Sequence, residues 1–266
     1  MNDQSPEAQQ ALLQNEETSI RFSGVFEGSR LGVNLKNAFH GALAVQTKLP
    51  DWIRTMPGMS GRKYRYLINN LVEEVAGARY LEVGSWMGST ACSALYGNAV
   101  RAVCIDNWSE FKGPKKEFEA NIARAHSDRI QFDFVEADFR SVDFASLGRF
   151  NIYMFDGPHE EQDQFDGIAA ALPALDDEFV LIVDDYNWAE VAAGTQRAIG
   201  SSGLEVVASI EIRSFQTGTH SQIAFHLSDW HNGYFLAVCR KTARRGWVEK
   251  FARWILSRGM FSGHAH

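Results

Sequence analysis

Residues 80–90 read Tyr80-Leu-Glu-Val-Gly-Ser-Trp-Met-Gly-Ser-Thr90. A short apolar run ends at Gly84, a second glycine follows at Gly88, and residues 89–96 then take on helical character. Two glycines bracketing a strand-to-helix turn let backbone approach a ligand at the carboxyl end of the strand. The spacing is neither the G-x-G-x-x-G dinucleotide fingerprint nor a Walker A loop, since no Gly-Lys-Ser/Thr follows. At this point a tight turn that holds no ligand stands as the alternative.

Working outward, short apolar runs at 80–83, 99–105, 130–135, 151–155 and 179–183 alternate with helical patterns at 89–96, 115–125, 160–175 and 188–200. Repeated βα units of this kind predict a parallel sheet covered on both faces, an α/β fold. The helix over 160–175 shows its buried stripe at Phe165, Ile168, Ala169 and Leu172. Upstream, Tyr64, Leu67, Leu71 and Val75 share one face of a helix over 62–75. Residues 20–57 read as irregular, punctuated by Gly24, Gly28, Gly32 and Gly41, and residues 1–18 as a frayed start. Downstream, 204–212 and 234–239 are two strands of a closing antiparallel pair. The loop between them carries His220, His226 and His231.

The chain has 266 residues, 45% of them hydrophobic and 22% charged, which suits one globular domain and excludes disorder for most of its length. Cys92, Cys104 and Cys239 are odd in number and lack C-x-x-C spacing, so a disulfide scaffold is excluded and a reducing compartment fits. A net charge of −7 counts against nucleic acid as a partner. The polar, acidic first residues lack the features of a secretory signal, and no apolar run approaches the ~20 residues of a membrane span. A soluble cytoplasmic protein is the expectation.

Charge is uneven, however. Residues 240–258 carry a net +6, leaving −13 on the rest. Trp247, Phe251, Trp254 and Ile255 align on one helical face there, flanked by Lys250, Arg253 and Arg258. Such a helix packs on the enzyme body or a second subunit, or lies on an anionic membrane, and the first is the favoured reading. The chain thus divides into a cap at 1–60, a ligand-binding domain at 61–240 and a basic helix and tail at 241–266.

Acids stand at the tips of the predicted strands. Asp106 ends the second strand, where a carboxylate can accept both hydroxyl hydrogens of a ribose. Asp138 ends the third, placed to accept from an adenine amino group while Phe139 or Trp108 packs on the ring. Each alone could be a helix N-cap. Asp156 ends the fourth strand, and Asp184 and Asp185 the fifth. Three unpaired carboxylates on one rim repel one another, a conflict that a hard divalent cation such as Mg²⁺ removes. His159, three residues after Asp156, can face the same rim, and an imidazole titrating near neutrality suits a general base. The alternative makes Asp156 and Asp184 caps and His159 a surface residue.

Over roughly residues 60–240 the sequence resembles the class I S-adenosylmethionine-dependent methyltransferases. Residues 81–90 match their glycine-rich motif, and Asp106 their ribose acid. Within that superfamily it is similar to the macrocin O-methyltransferase and cephalosporin-hydroxylase-like group, through Asp156-Gly-Pro-His159 and Asp184-Asp185-Tyr186. The resemblance implies a Rossmann-like, doubly wound seven-stranded sheet, mostly parallel, with the last strand inserted antiparallel beside the sixth. It implies a cofactor site at Glu82, Gly84, Ser85, Gly88, Asp106, Asn107, Trp108, Ala137, Asp138 and Asp156. Met59-Ser60-Gly61 would meet the methionine end of the cofactor. A metal would be held by Asp156, Asp184 and Asp185, with His159 and Asp156 catalytic. The acceptor would be the hydroxyl of a small molecule or sugar, capped by residues 20–60 and 213–232, and a homo-oligomer is compatible. A metal-dependent oxidoreductase or hydroxylase on the same fold, or a nucleotide-binding protein without turnover, are the competing readings.

Overall fold

The computed structural model describes residues 18–111, 113–214 and 227–242. Eight strands, β1 (Thr18–Gly24), β2 (Arg79–Val83), β3 (Val100–Asp106), β4 (Ile130–Glu136), β5 (Phe150–Phe155), β6 (Leu175–Val183), β7 (Leu204–Ser214) and β8 (Tyr234–Lys241), form one sheet. Their order is β1-β7-β8-β6-β5-β2-β3-β4. β6, β5, β2, β3 and β4 run parallel. β8 lies antiparallel between β6 and β7, the insertion expected of the last strand.

The sheet has eight strands rather than seven. β1 pairs antiparallel with β7 from Thr18↔Ser214 to Gly24↔Ala208. Its side chains are almost all exposed, and the short alternation of Ile20 and Phe22 with Ser19, Arg21 and Ser23 lies in the segment read as irregular. The pairing ends at Gly24, where a Cβ would stand 2.2 Å from the Val207 carbonyl oxygen.

Helices cover both faces. Helices α1 (Arg30–Leu43), α2 (Asp51–Thr55), α3 (Arg62–Glu74), α4 (Ser89–Leu95) and α5 (Lys115–Ala125) lie on one, α6 (Glu161–Ala171) and α7 (Ala189–Ser201) on the other. Strand alternation divides the core between them: Tyr80, Ile152, Met154 and Ile182 face the first layer, while Leu81, Val83, Phe155 and Val183 face the second. Each such fully buried side chain contributes roughly 1.5–3 kcal/mol.

Two expectations fail locally. Residues 20–57 are not irregular, for α1 buries Leu35, Ala38, Phe39 and Ala42 and is capped by Ser29, whose Oγ accepts from the Gly32 N–H at 3.3 Å. The buried stripe of α6 runs through Gln164, Gly167, Ile168 and Ala171, one step round from the predicted face. Gly167 sets that rotation, because any Cβ there would stand 2.0 Å from the Phe155 ring. Phe165 instead lies under the Arg197 guanidinium.

The three cysteines are buried thiols, as read from their apolar surroundings. Burial pushes Cys92 and Cys239 up to about 12. Among the described residues no helix is long and apolar enough to cross a membrane. The 1–17 start, His220, His226 and the basic C-terminal stripe lie outside the described residues.

Candidate active site

The turn after β2 is built around a close approach. Gly84 has φ +86°, and a Cβ on it would stand 1.8 Å from the Asp156 carbonyl oxygen. The Gly84 N–H donates to Ile105 and the Asp156 N–H to Val83, each at 2.9 Å, so the turn locks the ends of β2, β3 and β5 together. Gly88, at φ +81°, opens α4 against the Phe118 ring. No β-branched or bulky residue could take either position without strain.

Asp106 closes the turn from β3. Its Oδ2 accepts from the Ser85 and Trp86 N–H groups, both at 2.9 Å, and its Oδ1 from Trp108 N–H at 2.8 Å. Oδ2 is thereby filled, and Oδ1 keeps one acceptor site for a ligand hydroxyl. Asp138 likewise accepts from Arg140 N–H at 2.8 Å, capping the short turn Phe139–Ser141, so the cap reading of this residue is also true.

A cavity of about 480 Å³ opens at this rim. That volume lies within the range of small-molecule sites. Of the expected residues, Gly84, Asp106, Asn107, Ala137, Asp138, Asp156, His159, Asp185 and Met59 line it.

Glu82, Ser85, Gly88, Trp108 and Asp184 are not among the lining residues. Alternation along β2 turns Glu82 beneath the sheet, fully buried, where it accepts from the Tyr80 hydroxyl at 2.5 Å and the Thr90 hydroxyl at 3.1 Å. Burial pushes its carboxyl up to about 7, against the pull of these hydroxyls. Ser85 and Gly88 contribute backbone to the turn. Trp108 packs on Phe134, ring centroids 5.2 Å apart, rather than in the cavity. The same alternation in β6 sends Asp184 inward, toward the stacked Tyr64 and Tyr234. Its Oδ1 accepts from the Asp185 N–H at 2.7 Å, its Oδ2 is buried with no partner, and burial pushes its carboxyl well up.

Asp156, His159 and Asp185 meet at the cavity, while Asp184, expected with them, stands buried beside Asp156 without lining it. One ligand atom from each of the three at the cavity lies within 4.8 Å of the others. His159 Nε2 stands 2.8 Å from Asp185 Oδ2 and 3.9 Å from Asp156 Oδ1. Burial opposes its positive charge, but contact with Asp156 and Asp185 outweighs this and raises it to about 10 rather than leaving it near neutrality. Asp156 is pushed up to about 6 by burial and by Asp185. Burial would also raise Asp185, yet His159, His231 and Asn232 hold it below the usual carboxylate range. The two carboxylate oxygens suit a hard divalent cation, with the His159 nitrogen beside them as a proton acceptor rather than a ligand. The buried, partnerless Asp184 oxygen beside them is consistent with that.

Several lining residues had no motif to reveal them: Trp86, Phe111, Arg140, Trp188, His231 and Asn232. Trp86, Phe111 and His231, with Asp185, are non-glycine residues at positive φ. Trp188 packs edge-on against the His159 ring, centroids 4.8 Å apart. The Asn232-Gly233 pair just before β8 was the one available turn signal.

Residues 81–186, which span this rim from the glycine turn to the acid pair, match a family model described as a methyltransferase domain. Over that stretch the chain carries a methyltransferase domain. No curated protein sequence matches the chain significantly. Among solved structures, it is similar to TrmN from Thermus thermophilus at 14% identity and TM-score 0.48, covering 71% of this chain and 52% of that one. The chain spans about half the length of that protein. It is similar to the O-methyltransferase from Bacillus cereus in complex with SAH at 14% identity and TM-score 0.43, covering 78% and 91%. It is also similar to the SAH-bound methyltransferase PaMTH1 of Podospora anserina at 10% identity and TM-score 0.48, covering 91% and 97%.

Proposed function

We propose that this methyltransferase is an O-methyltransferase acting on a hydroxyl of a small molecule or sugar, assisted by a divalent cation such as Mg²⁺. One observation carries the reading: one cavity is lined both by Asp106 and by the Asp156–His159–Asp185 group. Asp106 suits a ribose, the group a hydroxyl that must lose its proton.

S-adenosylmethionine supplies an electrophilic methyl group, which passes to the acceptor oxygen while the sulfonium becomes a neutral thioether. On the protein side, Asp106 would accept from a ribose hydroxyl, and Asp138 with Phe139 would border the adenine. Asp156 and Asp185 would hold the cation. A bound divalent cation supplies charge that lowers the pKa of a coordinated hydroxyl and competes with the proton on His159. His159, once neutral, takes the proton that the acceptor gives up, and the flanking carboxylates stabilise the imidazolium that results. Positioning of acceptor oxygen against donor carbon supplies the rest.

The oxidoreductase reading is disfavoured by the methyltransferase match and by a donor group holding one histidine rather than two. The test is incubation with methyl-labelled S-adenosylmethionine and a panel of sugar diols and catechols, with Mg²⁺ and with EDTA. Label in an ether product, formed only with Mg²⁺, is expected. Label transferred to nitrogen or carbon, or to no acceptor while cofactor binds, would overturn the O-methylation reading.

A further inference from the structure

We propose that Asn232 is a positioning residue of the active site: its side-chain amide fixes the Asp185 carboxylate so that the other oxygen faces His159. The inference rests on the reading of Asp185 and His159 as reaction machinery, but it concerns a segment outside every motif that led to that reading.

Asp185 cannot hold its own orientation. It sits at φ +52°, in the left-handed region that a non-glycine residue seldom adopts. It follows Asp184, whose side chain turns into the core, so the left-handed step is what swings the next carboxylate out to the cavity. A backbone in that state persists only where its surroundings over-determine it. The over-determination comes from residues 228–233, the stretch leading into β8.

That stretch is fastened at both ends. Asp229 pairs with Arg62 at 2.7 Å and Lys63 at 2.8 Å, and the Arg62 and Lys63 N–H groups donate to the Ser228 and Asp229 carbonyls. Trp230 stacks on Phe39, ring centroids 5.6 Å apart. At the other end the Asn187 N–H donates to the Asn232 carbonyl at 2.8 Å, and the Tyr186 N–H to the Gly233 carbonyl at 3.1 Å. Backbone of the turn after Asp185 is thereby bonded to backbone of the 228–233 stretch. A Cβ on Gly233 would stand 2.5 Å from Asn187 Oδ1, so the two segments meet with no space between them.

Asn232 is the member of this clamp whose side chain reaches the chemistry. It is 4% exposed, and its Nδ2 donates to Asp185 Oδ1 at 2.6 Å. Asp185 Oδ2 then lies 2.8 Å from His159 Nε2. A donor on one oxygen thus selects the direction of the other. Outer partners of this kind change metal affinity or activity by about 10- to 100-fold when removed.

The test compares the full-length protein with Asn232→Leu, which keeps the shape but has no donor. Three readouts are taken: S-adenosylmethionine affinity by calorimetry, Mn²⁺ affinity by electron paramagnetic resonance, and the Asp185 rotamer in a crystal structure. The expected result is cofactor affinity within about twofold of wild type, Mn²⁺ affinity lowered about 10- to 100-fold, and Asp185 turned from His159. An Asp185 carboxylate still 2.8 Å from His159 without the amide overturns the proposal, whatever the metal does. Wild-type protein with no Mn²⁺ affinity refutes the metal reading instead, and the rotamer then decides this one. If Asn232→Leu does not fold, Asn232→Ser, whose shorter hydroxyl stops short of Asp185, is carried through the same readouts.

Discussion

Gly84 and Asp156 meet backbone to backbone: a methyl group on Gly84 would fall 1.8 Å from the Asp156 carbonyl oxygen. The glycine turn and the first residue of the acid–imidazole group are thus one mechanical unit. Gly84→Ala must strain a left-handed backbone and also push β5 away from β2. The expected loss exceeds about 1 kcal/mol for the dihedral alone, with the steric term added to it. Chemical denaturation would record the loss, and calorimetry should find cofactor binding gone in the same variant. Unchanged stability and binding would mean that the two strands do not approach as described.

Asp106 holds the turn through the Ser85 and Trp86 N–H groups as well as facing the cavity. Asp106→Ala should weaken S-adenosylmethionine by ~1.5–3 kcal/mol, roughly ten- to a hundredfold. Asp106→Asn keeps one acceptor oxygen and should fall between that variant and wild type. Calorimetry giving equal affinities for all three would remove Asp106 from the cofactor site.

Glu82 sets a pH dependence of stability. Its carboxyl is raised to about 7 in the folded protein by burial, above its ordinary value in the unfolded chain. The proton is bound more tightly by the native state. Its contribution is therefore fully present below about pH 4 and lost as pH rises through about 7. The span is on the order of 3 kcal/mol. Urea denaturation of wild type and Glu82→Gln should show the variant gaining on wild type between pH 5 and pH 8. Parallel curves across that window would contradict a protonated Glu82.

What could be read from sequence follows from which signals are local. The five parallel strands and the helices between them announce themselves by apolar periodicity, and Gly84, Asp106 and Asp156 by their places at strand ends. Side-chain direction within an acidic pair is not local. Asp184 and Asp185 look equivalent in sequence, but strand alternation sends the first inward and a left-handed backbone turns the second outward. Glu82, two residues before the turn, falls inward for the same reason. β1 is hard to read because its alternation, Ile20 and Phe22 among polar neighbours, is short and its side chains are mostly exposed. Asn232 lies 47 residues from Asp185, and only the antiparallel return of β8 brings the two together.

Chelation probes the acid–imidazole group as a metal site. EDTA should abolish methyl transfer and Mg²⁺ should restore it. Asp185→Asn should raise the Mg²⁺ concentration needed for half-maximal rate while leaving cofactor affinity within about twofold. Asp184→Asn should do less, because Asp184 does not line the cavity. Full activity after exhaustive chelation would leave His159 to act without a metal.

The most direct measurement is single-turnover methyl transfer from labelled S-adenosylmethionine to a diol acceptor by wild type and His159→Ala, both saturated with cofactor. With His159 as the proton acceptor, the variant should transfer ~10²–10⁴ times more slowly while binding S-adenosylmethionine as tightly as wild type. Equal transfer rates in the two proteins would show that the acceptor loses its proton elsewhere and that the Asp156–His159–Asp185 group is not where the reaction occurs.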